Sequence, residues 1–166
     1  MPIKDALLPE YDHEAKTTRR LLERVPEQAF GWKPHEKSMS LGQLSGHLAN
    51  LPSWGQAILS ADMFDLASLG ADPRPPVPAS RDSLVAEFDT KIAATRKLIA
   101  GAGDPEMLAR WTLKNSGQEM FSMPRIAALR SFVMNHMIHH RGQLSVYLRL
   151  QNVPVPPIYG PTADEG

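Results

Sequence analysis

The chain contains no cysteine. Disulfides, thiolate metal sites and a cysteine nucleophile are therefore excluded, and any metal must be held by histidine, carboxylate, carbonyl or water. An excess of charge is also missing. Lys plus Arg and Asp plus Glu number 18 each, so the formal net charge is zero with the histidines neutral. No basic excess points to nucleic acid or to an anionic membrane. No apolar run approaches the ~20 residues needed to span a bilayer. The N-terminal MPIKDALLPEYDHE lacks the basic-then-apolar pattern of a signal peptide, so the expected location is the cytoplasm. No GxGxxG or P-loop precedes a helix and no GxSxG occurs, which leaves nucleotide cofactors and serine-hydrolase chemistry without support. Internal repeats and low-complexity segments are absent.

What is present suits a globular fold. The 166 residues are 42% apolar and 22% charged, enough for a real core and for one domain spanning 1–166. Leu7, Tyr11, Thr18, Leu21 and Val25 fall three or four apart and predict a helix from about Lys4 to Arg24. Ser40 is a good N-cap for a second helix that carries Leu44, Leu51, Trp54 and Ile58 and fades near Asp62, with a bend at Pro52. Residues 63–79, rich in proline, read as a linker. At ~3.3 Å per residue it outreaches a ~20-residue helix at ~1.5 Å per residue, so the helices it joins can run parallel. Ser80 caps a third helix with Leu84, Phe88, Thr95, Leu98 and Ile99 on its stripe and Gly101 as its stop. A short turn capped by Asp104 follows. Two extended runs then flank Asn115-Ser116-Gly117, a hairpin that must pack on helices to be stable. The fourth helix starts near Pro124 and ends near Gln151, before a proline-rich tail. The pattern predicts an all-α protein, a helix bundle around one core with a hairpin or irregular insertion before the last helix.

The chemistry concentrates in NHMIHHRGQL of the fourth helix. At ~100° per residue, His136 and His140 lie ~40° apart on one face, one turn apart, within the stripe of Leu129, Phe132, Val133, Leu144 and Tyr147. His139 points to the stripe's edge. On the second helix, His47 falls on the inward face. Two facing helices thus present three imidazoles to one place in the core, the way bundles build metal sites. The bland alternative is three buried, singly hydrogen-bonded histidines. An unmet buried polar group costs ~1–3 kcal/mol, and one shared cation satisfies three acceptor nitrogens at once.

Several residues are candidate helpers. Glu14 sits between Tyr11 and Thr18 on the inward stripe, either orienting an imidazole or acting as a general base, or else salt-bridged at the edge. Arg141 points away from His136 and is expected to brace the tail through Asp164 or Glu165. Gln143, Trp54, Tyr147 and Tyr159 are candidate pocket-lining residues, each also readable as packing or tail structure.

The stretches Trp32-Lys33-Pro34, Glu36-Lys37-Ser38, Leu41 to His47, and His136-x-x-x-His140-Arg141-Gly142-Gln143, with the closing Tyr159-Gly160-Pro161 and Ala163-Asp164-Glu165, resemble the DinB-like superfamily, which includes the YfiT-like metal-dependent hydrolases. The resemblance covers nearly the whole chain. It implies a four-helix bundle in up-down-down-up order and a divalent site of one histidine from the second helix and two from the fourth, matched by His47, His136 and His140. Nickel and zinc are the ions it implies. Three protein ligands leave positions open, as in catalytic rather than structural zinc. The open site would activate a water, giving a hydrolase, or a low-molecular-weight thiol, giving an S-transferase of the kind found among the relatives. The expected partner is therefore a small-molecule substrate. Dimerisation has no signal of its own, and only the resemblance makes a homodimer an expectation. A non-enzymatic metal-binding stress-response bundle uses the same three histidines.

Overall fold

The computed structural model describes residues 1–70 and 77–165. Helix α1 spans Ile3–Leu22 and buries Leu7, Tyr11, Thr18 and Leu21, with Val25 buried just beyond its end. Its first amide, Ile3 N–H, donates to Asp104 Oδ1 at 2.8 Å. Asp104 therefore caps α1 from a distance. It does not cap its own short helix α5, Asp104–Leu108, which follows Gly103 with no side-chain cap.

The second predicted helix is two. Helix α2 spans Leu41–Asn50 and α3 spans Ser53–Ser60, with the bend at Leu51–Pro52. Ser40 and Gln43 form a reciprocal capping box at the start of α2. At the bend, the Thr95 hydroxyl donates to the Pro52 carbonyl at 2.6 Å. Thr95 lies on helix α4, Arg81–Gly101, which begins at Ser80 as predicted. A Cβ on Gly55 would come 2.3 Å from Thr95 Cγ2, so glycine is what lets α3 approach α4 this closely.

The expectation of an all-α chain is corrected by a three-stranded sheet in the order β1-β2-β3. Strands β2, Arg110–Asn115, and β3, Gln118–Pro124, form the predicted hairpin. Its turn residues Ser116 and Gly117 both have positive φ, 52° and 79°, the geometry that joins two strands without splaying them. The surprise is β1, Met63–Asp65, which pairs in parallel with β2. It occupies the start of the segment read as linker and is followed by a 3-10 turn at Leu66–Leu69. The Asp65 carboxylate accepts from Ala67, Ser116 and Gly117 N–H. Those three bonds tie the strand to the hairpin turn and hold its carboxyl below the usual range. Within the remainder of the linker, residues 71–76 lie outside the described residues.

The fourth helix starts after Pro124 but is not uniform. Helix α6, Arg125–Leu129, passes into a π-helical segment, Arg130–Asn135, before α7, His136–Leu150. Its wider turn buries Met134, while Phe132, expected on the core stripe, is only half-buried. The core falls into two connected apolar clusters. One is built by Leu21, Leu44, Leu48, Phe88 and Leu144, the other by Tyr11, Ile58, Trp111, Leu129 and Val133. Half-buried Trp54 and Ile92 pack against both. Helix α7 contacts both α1 and α2, which sets the histidines of α2 and α7 face to face. No helix among the described residues is long and apolar enough to cross a membrane.

Candidate metal centre

His47 lies on α2 one turn after Gln43, and the capping box at Ser40 sets the start of that helix and therefore its facing. His136 is the first residue of α7 and His140 follows one turn later. The structure brings these three histidines together. One ring nitrogen from each lies within 4.8 Å of the others. His47 Nε2 and His136 Nε2 are 3.4 Å apart. Ring centroids are separated by 5.1, 4.5 and 4.7 Å for the pairs 47–136, 47–140 and 136–140.

The donor set suits a divalent ion. Burial, together with the charge that His140 and His136 would carry, pushes the His47 imidazolium down to about 4. Burial likewise lowers His136 and His140, with neighbouring histidines adding to the effect. At neutral pH all three rings are therefore neutral and keep a lone pair for a cation. The other nitrogen of the His140 ring has a partner. His140 Nδ1 lies 2.7 Å from Gln143 Oε1, so the proton sits on Nδ1 and Nε2 is left as the ligand atom. The Gln143 amide nitrogen lies 3.2 Å from His139 Nε2. His139 stands outside the triad, meeting it through Gln143 and through its own ring, which packs edge-on against His140 at 4.9 Å. The Phe132 backbone, at the π segment, works against the lowering of the His136 ring. The His136 backbone N–H goes to Val133 O. Wide-turn segments recur at functional sites because they re-aim side chains, and here one abuts a candidate ligand.

A cleft of about 280 Å³ opens at His47, lined also by Lys33, Glu36, Lys37, Ser38, Met39 and Gln43. In the sequence, Lys33, Glu36, Lys37 and Ser38 carried only the family resemblance and no role at the site. Their closeness in sequence to the His47 helix was the available signal. Tyr147, expected to line a pocket, instead supports this loop. Its hydroxyl donates to Met39 O at 3.2 Å and its ring meets Trp32 edge-on at 5.5 Å. Trp54 packs half-buried against Phe64 and Phe132.

Glu14 is engaged elsewhere. Its carboxylate pairs with Arg141 at 2.6 Å and accepts from the Tyr159 hydroxyl at 3.0 Å. Arg141 also donates to Tyr159 Oη at 2.7 Å and to Glu14 O at 3.2 Å. Arg141 does brace the tail, but through Tyr159 and Glu14. Asp164 is held by Arg149 and Glu165 by Arg24. The tail is thus tied down, and Tyr159 belongs to this clasp and not to the cleft at His47. Burial and the Glu14 carboxylate raise the Tyr159 phenol above its usual range.

Comparison with known proteins agrees with this frame. The profile of the DinB family matches residues 1–166. The uncharacterized protein YrdA of Bacillus subtilis is 27% identical over 166 residues, covering 97% of this chain and 90% of its own length. A DinB-like protein from Bacillus cereus has the same fold at a TM-score of 0.74 and 18% identity, covering 95% of this chain and 98% of that one. The DinB-like protein YjoA from Bacillus subtilis gives 0.70 and 20%, covering 93% and 98%. With the family profile running the full length of the sequence, the chain belongs to the DinB family.

Proposed function

We propose that this protein is a metal-dependent enzyme with an open three-histidine site at His47, His136 and His140, using a water or a small thiol as nucleophile. The observation that carries the reading is the meeting of three ligand nitrogens within 4.8 Å beside a cleft that opens at one of them. Nickel or zinc suits an all-imidazole donor set. When bound, the ion supplies a Lewis acid that lowers the pKa of water or a thiol and so yields a nucleophile at neutral pH. The chain's own contributions are separate. Burial keeps the rings neutral, Gln143 holds the His140 proton on Nδ1, and the 33–39 loop shapes space for a substrate. The helical frame is read as an up-down-down-up four-helix arrangement with the strands as an insertion. A non-enzymatic metal-binding role is the second reading, and it needs no cleft at the site; the space at His47 favours catalysis.

The test starts with metal analysis of untagged protein equilibrated with zinc or nickel. One ion per chain is expected in the wild type and none in His136→Ala. A wild type that retains no ion overturns the proposal. Metal-loaded protein is then offered electrophiles with and without a panel of thiols. Turnover that needs both metal and thiol identifies transfer, turnover that needs metal alone identifies hydrolysis, and no turnover leaves the non-enzymatic reading standing.

A further inference from the structure

We infer that the cleft walled by residues 33–39 is an anion subsite, in which Lys33 and Lys37 hold the carboxylate or phosphate of a small molecule whose reacting atom reaches the histidine triad. The inference rests on the metal reading for its chemistry, but the cleft itself is independent of the ion. Three observations carry it. The cleft and the triad share His47, so a ligand in one borders the other. The wall is held in place from both sides. Leu41 N–H bonds Trp32 O at 2.9 Å, Gly42 N–H bonds Phe30 O at 2.9 Å, and Tyr147 anchors Met39. A Cβ on Gly42 would lie 3.0 Å from Phe30 Cβ, so this close approach is built in.

Charge supplies the third observation. Two ammonium groups and one carboxylate, Glu36, line the cleft, and among the described residues neither lysine makes an ion pair. Two lysines against one carboxylate leave the cleft lining net positive. A divalent cation on the triad strengthens that field in a site partly shielded from solvent. Lysine acts as a point charge and binds carboxylate and phosphate alike. A thiol carrying a carboxylate then meets both needs, its anion at the lysines and its sulfur at the triad.

The experiment uses the full chain, wild type and Lys33→Gln/Lys37→Gln. Both lysines are exposed, so the double variant is expected to keep its thermal midpoint. In cobalt-loaded protein, mercaptosuccinate and 2-mercaptoethanol are titrated by the thiolate-to-metal absorption band. The wild type is expected to bind mercaptosuccinate more tightly. The variant is expected to lose about 3- to 10-fold for mercaptosuccinate and little for the neutral thiol, given the modest worth of exposed charge pairs. Equal loss for both thiols, or none for either, overturns the proposal. Succinate and inorganic phosphate are titrated in parallel into the metal-free protein. Salt-sensitive binding lost in the double variant supports the subsite even if the metal reading fails, and whichever anion binds more tightly identifies the group it takes. Binding of both anions unchanged by the substitutions overturns it.

Discussion

Two clusters of polar side chains sit against α7, one on each side, and they differ in how far their bonding is satisfied. In the clasp of Glu14, Arg141 and Tyr159, the carboxylate, guanidinium and phenol meet one another in a charge-balanced set, with Glu14 and Arg141 side chains only 7% and 1% exposed. In the triad, three neutral rings crowd together with their ligand nitrogens facing one another. Adjacent residues, His140 and Arg141, feed these two clusters, because one step along a helix turns a side chain by ~100°. A saturated buried cluster holds structure together. A cluster whose ring nitrogens face one another has a place for a further atom, and that difference singles out the triad as the candidate metal site.

Substitutions can sharpen the contrast. The largest effect is expected from His136→Ala, which removes a ligand and should abolish stoichiometric metal binding, while Arg141→Ala should leave the affinity within about twofold. Metal analysis after dialysis of both variants checks this, and a metal-free Arg141→Ala protein that is still folded would erase the distinction. Next, Arg141→Ala leaves the Glu14 carboxylate buried without its cation, at a cost of about 3–5 kcal/mol in unfolding free energy. Urea titration measures it, and a loss below about 1 kcal/mol would show that the clasp holds little. Gln143→Ala frees the His140 ring and is expected to weaken metal binding about 10- to 100-fold. Gln143→Glu, which also accepts from Nδ1–H, should recover most of that. Competition with a chromophoric chelator reads both.

Smaller effects follow from pH and from the tail. His47 is neutral in the fold until about pH 4, whereas its unfolded counterpart protonates near pH 6.5. The unfolded chain therefore binds more protons between those values, and protonation favours unfolding. Metal-free protein should hold its full stability above about pH 6.5 and lose it as pH falls toward 4, with His136 and His140 acting in the same direction. His47→Gln should flatten that dependence, and an unchanged slope in thermal melts would count against burial of the neutral ring. Tyr159→Phe removes one donor to Glu14 and is expected to cost about 1 kcal/mol by urea titration, the smallest change of the set.

Much of this was legible from local spacing. The capping serines at 40 and 80, the bend at Pro52, the hairpin at Asn115-Ser116-Gly117 and the one-turn separation of His136 and His140 depend on neighbours within a few residues. Strand β1 was not legible, since three residues in a proline-rich stretch become a strand only by pairing with β2 some fifty positions later. The π segment escaped for another reason. Apolar residues three and four apart fit either winding, and only Phe132 turning partly outward while Met134 turns in reveals the wider turn. Bracing by Arg141 was foreseeable from its direction on the helix, but its partner Glu14, 127 positions away, was not.

By itself the sequence determined where the helices start, which faces they bury and that the three histidines lie on inward faces, because periodicity and capping act over one or two turns of chain. Only the tertiary structure decided that His47 meets His136 and His140, that Glu14 serves a clasp, and that a cationic cleft borders the triad. Those outcomes depend on how distant segments pack, and packing is settled by the whole core at once.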